Sequence, residues 1–156
     1  MLSKNQVILD HEVHFTKTND KAGLCNFNMK FTLSNNKHSL FEQLGGMQAV
    51  DVAVNVFYAH VINDERISHF FRWVDMETQS YKMKTFLAYA LGAPINFSGK
   101  SLKESHSHLV KAGLKDKHFD AVIENLNATL RELGIAEELI EQVGKIAEGT
   151  REDILR

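Results

Sequence analysis

The stretch from residue 47 to residue 62 has the sequence MQAVDVAVNVFYAHVI, and it decides the fold class of the chain. Its larger apolar residues recur three or four positions apart, which is the period of an amphipathic α-helix. The stretch therefore predicts a helix from Met47 to Ile62 with one buried face. The residues of that face are Val50, Val54, Phe57, Tyr58 and Val61.

The same helical period continues on both sides of this stretch, from Ser39 to the end of the chain. Glycines and Asn-Asp pairs separate the periodic segments, as expected where helices end. The fold is therefore predicted to be all-α, with about six helices and a loop from Ala93 to Gly99. The expected segments are a short helical start at 39–42, a turn at 66–71, helices at 47–62, 76–91, 102–112 and 116–133, and one last helix from 137 to 154.

Length and composition exclude several classes of protein. The chain has 156 residues, of which 44% are apolar and 24% charged, which suits one compact domain and excludes a disordered or collagen-like chain. A net charge of −2 gives no basic surface for nucleic acid, and the single cysteine, Cys25, excludes a disulfide framework. No apolar run reaches the roughly 18 residues of a membrane span, and the N-terminus lacks an apolar signal region. We therefore expect a cytoplasmic monomer without nucleic-acid or membrane partners.

The first 37 residues differ from the rest in charge and pattern. They contain five lysines and three acidic residues, against thirteen basic and seventeen acidic residues in the remainder. Polar and apolar residues alternate from Asn26 to Leu33, as in a strand, and a weaker extended stretch runs from Gln6 to Thr16. Asn19, Asp20 and Gly23 are turn residues between them. We expect an extension at 1–38, either a docked hairpin or a disordered arm, followed by a helical domain at 39–156.

Polar side chains on apolar helix faces are the candidates for chemistry in the helical domain. Gln79, Lys82, Met83 and Phe86 share one side of the helix that follows Asp75. Lys82 therefore has two interpretations. It either belongs to this apolar face, or it lies at the edge of the face and extends its ammonium into water.

Two further polar groups lie on apolar stripes. His106 shares a helix face with Leu102 and Leu109, and it is either a hydrogen-bonded core histidine or a ligand. The hydroxyl of Tyr58 lies on the buried stripe of its own helix, where it needs a partner unless it reaches the rim. A histidine, a tyrosine, a glutamine and a lysine on three helices are what a cofactor pocket between helices requires.

Several separate motifs resemble one protein family. They are LFEQLGG at 40–46, AVDVAVNVFY at 49–58, ISHFF at 67–71, DM at 75–76, FLAYALG at 86–92, SHSHLV at 105–110 and HFDAV at 118–122. In this order, they resemble the group I truncated haemoglobins over residues 39–156. The resemblance implies a truncated globin fold, in which a two-over-two helical sandwich encloses haem b.

The resemblance also implies a role for each matching residue. His106 corresponds to the proximal iron ligand, and Tyr58 and Gln79 correspond to the distal pair that acts on bound O₂. Lys82 lies where some members supply a sixth iron ligand, although it can instead pair with a haem propionate. The implied haem contacts are Phe57, Phe70, Phe71, Met83, Phe86, Leu87 and Leu102.

Three positions depart from the family pattern. Met83 replaces a second distal glutamine, so we expect a thinner distal hydrogen-bond network. Gly92 is followed by Ala93 rather than by a second glycine. The final helix contains no histidine after His118, so the covalent histidine–haem link of some members is excluded.

The resemblance favours a haem protein that binds O₂, NO and similar diatomic ligands. Such a protein can convert NO to nitrate, as an NO dioxygenase, with electrons from an external donor. The alternatives are a non-catalytic O₂ or redox sensor, a haem-linked binding module, and a haem-free helical interaction domain. Whether the chain is an enzyme stays open on sequence alone.

Overall fold

A computed structural model describes the backbone of residues 12–19 and 25–32 and the whole of residues 38–156. Contacts between Cα atoms divide the chain into two compact units, Met1–Ser39 and Leu40–Arg156. No helix within the described residues is both long and apolar enough to cross a bilayer.

The first unit contains two antiparallel strands, β1 (Glu12–Asn19) and β2 (Cys25–Thr32). Glu12 pairs with Thr32 at one end of the ladder and Asn19 pairs with Cys25 at the other. The strand expected from the alternating pattern is therefore present within one residue of its predicted ends. Asn19 was wrongly predicted as a turn residue, because pairing across the ladder extends β1 to that position. The predicted stretch at 6–11 lies outside the described residues.

The second unit is built from seven α-helices and one short 3₁₀ helix. They are α1 (Leu40–Leu44), α2 (Gly46–Asn63), the 3₁₀ helix (Ser68–Phe71), α3 (Met76–Ala90), α4 (Leu102–Lys111), α5 (Asp116–Glu132), α6 (Glu137–Glu148) and α7 (Arg151–Leu155). Helix α2 packs against both α3 and α5, and α5 packs against α6. Two helix pairs thus form the predicted two-over-two arrangement, while α4 packs against α7.

The hydrophobic core follows the stripe that the sequence predicts on α2. Val50, Val54, Phe57, Tyr58 and Val61 are all buried, with exposures between 0% and 7%. They belong to one cluster that α5 and α6 complete from the opposite side. The buried members from those two helices are Ala121, Leu126, Leu130, Ile140 and Val143.

Two details of the C-terminal half correct the sequence prediction. The expected single last helix is divided into α6 and α7. At the break, the Thr150 hydroxyl donates to the Ala147 carbonyl at 2.6 Å, and such a bond to backbone competes with continuation of the helix. An aspartate is a common helix cap, so the sequence predicts Asp116 as the cap of α5, but Asp116 is the first helical residue. Lys115 occupies the cap position, and its backbone N–H donates to His118 Nδ1 at 3.0 Å.

Charged side chains connect the helices at several places, among them the end of α2 and the start of α7. Asp64, just after α2, accepts hydrogen bonds from Arg66 at 2.8 Å and from the Asn125 side chain at 2.7 Å. These bonds link the end of α2 to α5 and lower the pKa of Asp64 well below its ordinary value. Arg151 connects α7 to α5 through Asp116 and Asp120, so the last helix is held by charge as well as by packing.

Candidate functional site

His106 lies in the middle of α4, in an environment that leaves one ring nitrogen available. The helix begins with a capping box, in which the Ser101 hydroxyl accepts the Glu104 N–H and the Glu104 carboxylate accepts the Ser101 N–H, both at 3.1 Å. One turn later, His106 Nδ1 lies 2.8 Å from the Leu102 carbonyl oxygen. Because a carbonyl oxygen can only accept, Nδ1 carries the hydrogen and Nε2 presents a lone pair.

The protonation state of His106 is set by its burial. The ring is partly buried, and desolvation lowers its pKa, although the bond to the Leu102 carbonyl acts in the opposite direction. The neutral ring is therefore favoured at neutral pH, and a neutral imidazole is the form that ligates a metal. Metal-bound histidines usually donate a hydrogen bond from the ring nitrogen that does not bind the metal, as Nδ1 does here.

The structure brings Tyr58 of α2 and Gln79 of α3 into direct contact. The Gln79 Nε2 donates to the Tyr58 hydroxyl oxygen at 3.1 Å. Burial raises the pKa of Tyr58, and the bond from Gln79 offsets only part of that rise. The hydroxyl is therefore protonated at neutral pH. Because its oxygen already accepts from Gln79, its own hydrogen is available to a third group.

Two aromatic rings pack against the ring of Tyr58. The Tyr58 ring lies 5.1 Å from Phe57 and 5.9 Å from Phe71, with tilted and edge-on geometries. Phe70 is partly buried against the same core and is flanked by His69 at 4.1 Å and His118 at 5.1 Å. The polar pair thus lies in apolar surroundings, where a hydrogen bond is stronger than in water.

On α3, the residues of the predicted pocket face differ in exposure. Met83 and Leu87 are partly buried and pack against the core, and Phe86 is partly buried as well. Lys82 is exposed. The pKa of Asp75 is lowered mainly by a hydrogen bond from the Thr78 hydroxyl and in smaller part by the positive charge of Lys82. The lysine is therefore directed to the edge of the stripe in this conformation.

The donor set fits a haem iron better than a metal bound by protein groups alone. Within residues 38–156 there is no group of three or more His, Cys, Asp or Glu side chains that could hold a metal ion. A haem iron needs only one axial protein ligand, because the porphyrin supplies the other nitrogens. His106, with Nε2 free and Nδ1 fixed, meets that requirement.

A separate apolar cavity of about 410 Å³ lies between the start of α2, the end of α3 and the α5–α6 pair. Its walls include Val50, Leu87, Leu126 and Val143. Leu87 is the only residue from the predicted site that lines this cavity. The other candidate residues of α2, α3 and α4 therefore lie outside it.

Sequence reasoning missed Phe97, in the loop between α3 and α4. Its ring lies 5.7 Å from the rings of both Phe86 and Tyr89 on α3. An aromatic residue two positions before Gly99, in the loop at 93–99, was the available sequence indication. The hydrogen bond from His106 to the Leu102 carbonyl was also missed, because every residue has a main-chain carbonyl and the residue type does not show which one accepts.

Comparison with known proteins assigns the family. A sequence model described as bacterial-like globin matches residues 39–155. The chain belongs to this family. The globin is 48% identical over 110 residues to a group 1 truncated haemoglobin of Synechocystis sp., covering 70% of this chain and 89% of that one. It is 42% identical over 121 residues to a group 1 truncated haemoglobin of Tetrahymena pyriformis, covering 78% and 98%.

Solved structures confirm the fold class of the globin. The 2/2 haemoglobin of Synechococcus sp., in the cyanomet state with covalently attached haem, superposes with a TM-score of 0.74 at 45% identity. This match covers 76% of the present chain and 98% of the other. The Fe(III) form of the Tetrahymena pyriformis truncated haemoglobin gives a TM-score of 0.71 at 42% identity, with the same coverage. As in its family, the cofactor of this globin is a haem iron, which binds small diatomic ligands such as O₂.

Proposed function

We propose that this globin is an NO dioxygenase-type protein, which converts NO to nitrate with O₂ and electrons from an external donor. When bound, haem supplies an iron that takes a diatomic ligand, and O₂, NO and one electron balance to one nitrate ion. The observation that carries the proposal is the partly buried hydrogen bond from Gln79 to Tyr58, whose ring packs against Phe57 and Phe71. This arrangement leaves one buried hydroxyl hydrogen for a negatively polarised ligand.

In this proposal, His106 holds the iron from the proximal side. Its Nδ1–H bond to the Leu102 carbonyl fixes the tautomer and the ring orientation, and it makes Nε2 the coordinating atom. Burial keeps the ring neutral, so no proton has to leave before coordination at neutral pH.

Tyr58 and Gln79 act together on the distal side. Tyr58 donates its hydroxyl hydrogen to the bound ligand, while Gln79 holds the Tyr58 oxygen in place. A fixed donor aimed at developing negative charge stabilises it without reorganisation. Met83 has no amide to contribute, so the donor set contains one hydrogen bond fewer than a pocket with a second glutamine.

Apolar side chains complete the proposed haem contacts and exclude water. The residues are Phe57, Phe70, Phe71, Met83, Phe86, Leu87 and Leu102. All of them are buried or partly buried in the globin. Lys82 serves either as a sixth iron ligand in the absence of O₂ or as a partner of a haem propionate, and its exposed position leaves its flexible side chain free to adopt either role.

The test is single-turnover consumption of NO by the reduced, O₂-loaded protein, with nitrate as the measured product. We expect one nitrate per haem in the wild type. Tyr58→Phe removes a hydrogen bond to a charged acceptor, which is worth about 1.5–3 kcal/mol, so O₂ should dissociate roughly ten- to a hundredfold faster. Tyr81→Phe, at an exposed tyrosine of α3, is the matched control and should leave both measurements unchanged.

Reversible O₂ binding without nitrate formation would contradict the dioxygenase proposal and favour a non-catalytic sensor. An O₂ dissociation rate that is the same in Tyr58→Phe and in the wild type would contradict the role of Tyr58. A purified protein that takes up no haem, and therefore shows no Soret band, would remove the basis of both.

A further inference from the structure

The ring of Phe97 attaches the loop between the distal helix α3 and the proximal helix α4 to α3. Phe97 lies edge-on to Phe86, with ring centroids 5.7 Å apart and planes at 73°. It stacks on Tyr89 at the same centroid distance, with planes at 28°. Both partners belong to α3, so Phe97 connects the loop to the helix that carries Gln79.

The end of the Phe97 ring lies against Gly99. A Cβ atom added to Gly99 would meet the ring, nearest at Cζ and 2.9 Å from Cε1. This is well inside the roughly 3.5–4.0 Å separation of carbon atoms in contact. The backbone of Gly99 therefore lies close to the end of the ring, and a side chain at this position requires the Phe97 ring to move.

The segment from Gly99 to His106 is short, and hydrogen bonds hold its main chain at Ser101 and Leu102. Lys100 alone separates Gly99 from Ser101, whose capping box with Glu104 fixes the first turn of α4. The next residue, Leu102, provides the carbonyl that holds His106 Nδ1 at 2.8 Å. Because only three residue steps separate Gly99 from Leu102, we expect a displacement of Gly99 to move this carbonyl as well.

We propose that Phe97 and Gly99 are positioning residues for His106, because the ring clamped between α3 and Gly99 sets where α4 begins. The inference rests on the proposed role of His106 as the iron ligand. It adds that the orientation of this ligand depends on packing against the distal helix, through a residue that does not itself touch the iron.

The experiment compares Gly99→Ala, Phe97→Ala and the double variant in the holoprotein. The readouts are the iron–histidine stretching frequency of the ferrous form and the rate of haem loss. In Gly99→Ala, the new methyl group strikes the ring, and we expect a shifted frequency with roughly five- to 150-fold faster haem loss, which corresponds to overpacking of about 1–3 kcal/mol. In the Phe97→Ala background there is no ring to strike, so the same substitution should change haem loss less than twofold.

Gly144→Ala on α6 is the matched glycine control. A Cβ atom at Gly144 meets only Asn127 Oδ1, at 3.8 Å, so both readouts should stay at the wild-type values. Hydrogen exchange in the apoprotein gives a readout without haem, and Gly99→Ala should speed exchange of the α4 amides but not of the α2 amides. If Gly99→Ala fails to fold, Phe97→Leu should show the same changes in weaker form.

The outcomes separate this inference from the function on which it rests. A wild-type iron–histidine mode that persists in His106→Ala would contradict the proposed ligand. If that mode is lost in His106→Ala but is unshifted in Gly99→Ala, with wild-type haem loss, the positioning role is wrong. A double variant as impaired as Gly99→Ala alone would show that the Phe97 ring is not the contact that matters.

Discussion

At the scale of single residues, two hydrogen bonds assign the chemistry of the proposed site. The Leu102 carbonyl determines that His106 presents Nε2, and the Gln79 amide determines that Tyr58 keeps its hydrogen for a ligand. Each bond is made in partly buried surroundings, where the alternative of an unpaired polar group is costly. The two side chains are therefore fixed in protonation state as well as in position.

Replacement of His106 tests the proximal ligand. His106→Ala removes the nitrogen that we expect to coordinate iron, so normal haem retention should be lost, or the ferrous spectrum should lack the features of histidine ligation. His108→Ala, at an exposed position two residues further along α4, is the control and should keep the wild-type spectrum. An unchanged ferrous spectrum in His106→Ala would show that another residue holds the iron.

Lys82 is tested by a pH titration of the ferric spectrum. Only a neutral amine can donate to iron, and an ordinary lysine has a pKa of about 10.4, so coordination should strengthen as pH rises and weaken as it falls. We expect a low-spin, six-coordinate signal that grows with pH in the wild type and is absent in Lys82→Ala. Lys84→Ala, whose ammonium pairs with Asp51 at 2.5 Å, is the control on the same helix. A signal that survives in Lys82→Ala would identify a different ligand, such as Tyr58 or hydroxide.

At the scale of helices, the ends are held by specific polar contacts rather than by helix propensity. Gly45, with φ of 112°, and Gly46, with φ of 73°, allow the sharp connection from α1 to α2. At the other end of α2, Asp64 joins Arg66 and Asn125, which ties α2 to α5. The attachment of α2 to α5 therefore includes a charged contact at the end of α2.

Acid stability should report the contact at Asp64. Hydrogen bonds from Arg66 and Asn125 lower its pKa in the folded protein, so its stabilising effect is fully present above the ordinary carboxyl pKa of about 3.9 and is lost as pH falls below that value. Asp64→Asn should be less stable than the wild type at neutral pH, and the difference should shrink below about pH 4 in denaturant titrations. Glu65→Gln, at an exposed neighbour, should show no such dependence. A difference that is independent of pH would contradict the assignment.

At the scale of the whole molecule, the globin core and the N-terminal strands are separate compact units. The buried cluster of the globin begins at Val50, and the family match begins at residue 39. The proposed haem-site residues all lie between Phe57 and His106. The chemistry that we propose is therefore contained in the helical unit.

A shortened chain tests whether the first segment is dispensable for haem binding. A protein that begins at Asn36 should fold and show the same Soret band as the full-length chain, because no residue of the proposed site precedes Phe57. The comparison uses haem titration of both chains, with circular dichroism to measure helix content. Loss of the Soret band together with helix content would show that residues 1–35 complete the core.

The amino-acid sequence by itself determined the helices and the face that each one buries. Side chains three or four residues apart necessarily share a helix face, so the stripe from Val50 to Val61 and the placement of His106 on an apolar side follow from local spacing. Glycines that end helices, such as Gly113 and Gly134, are local signals as well, which is why most helix ends were predicted within one or two residues.

Contacts between distant residues were decided only by the tertiary structure. Gln79 meets Tyr58 across 21 positions of sequence, and Phe97 contacts Phe86 and Tyr89 of α3 from within a loop without periodicity. The attachment of α7 to α5 likewise involves Arg151, which pairs with Asp120, 31 residues away. Such contacts depend on packing energies, which are sums of many small interactions between side chains of different elements. The spacing of residues along one helix does not indicate which residues of another helix will lie next to it.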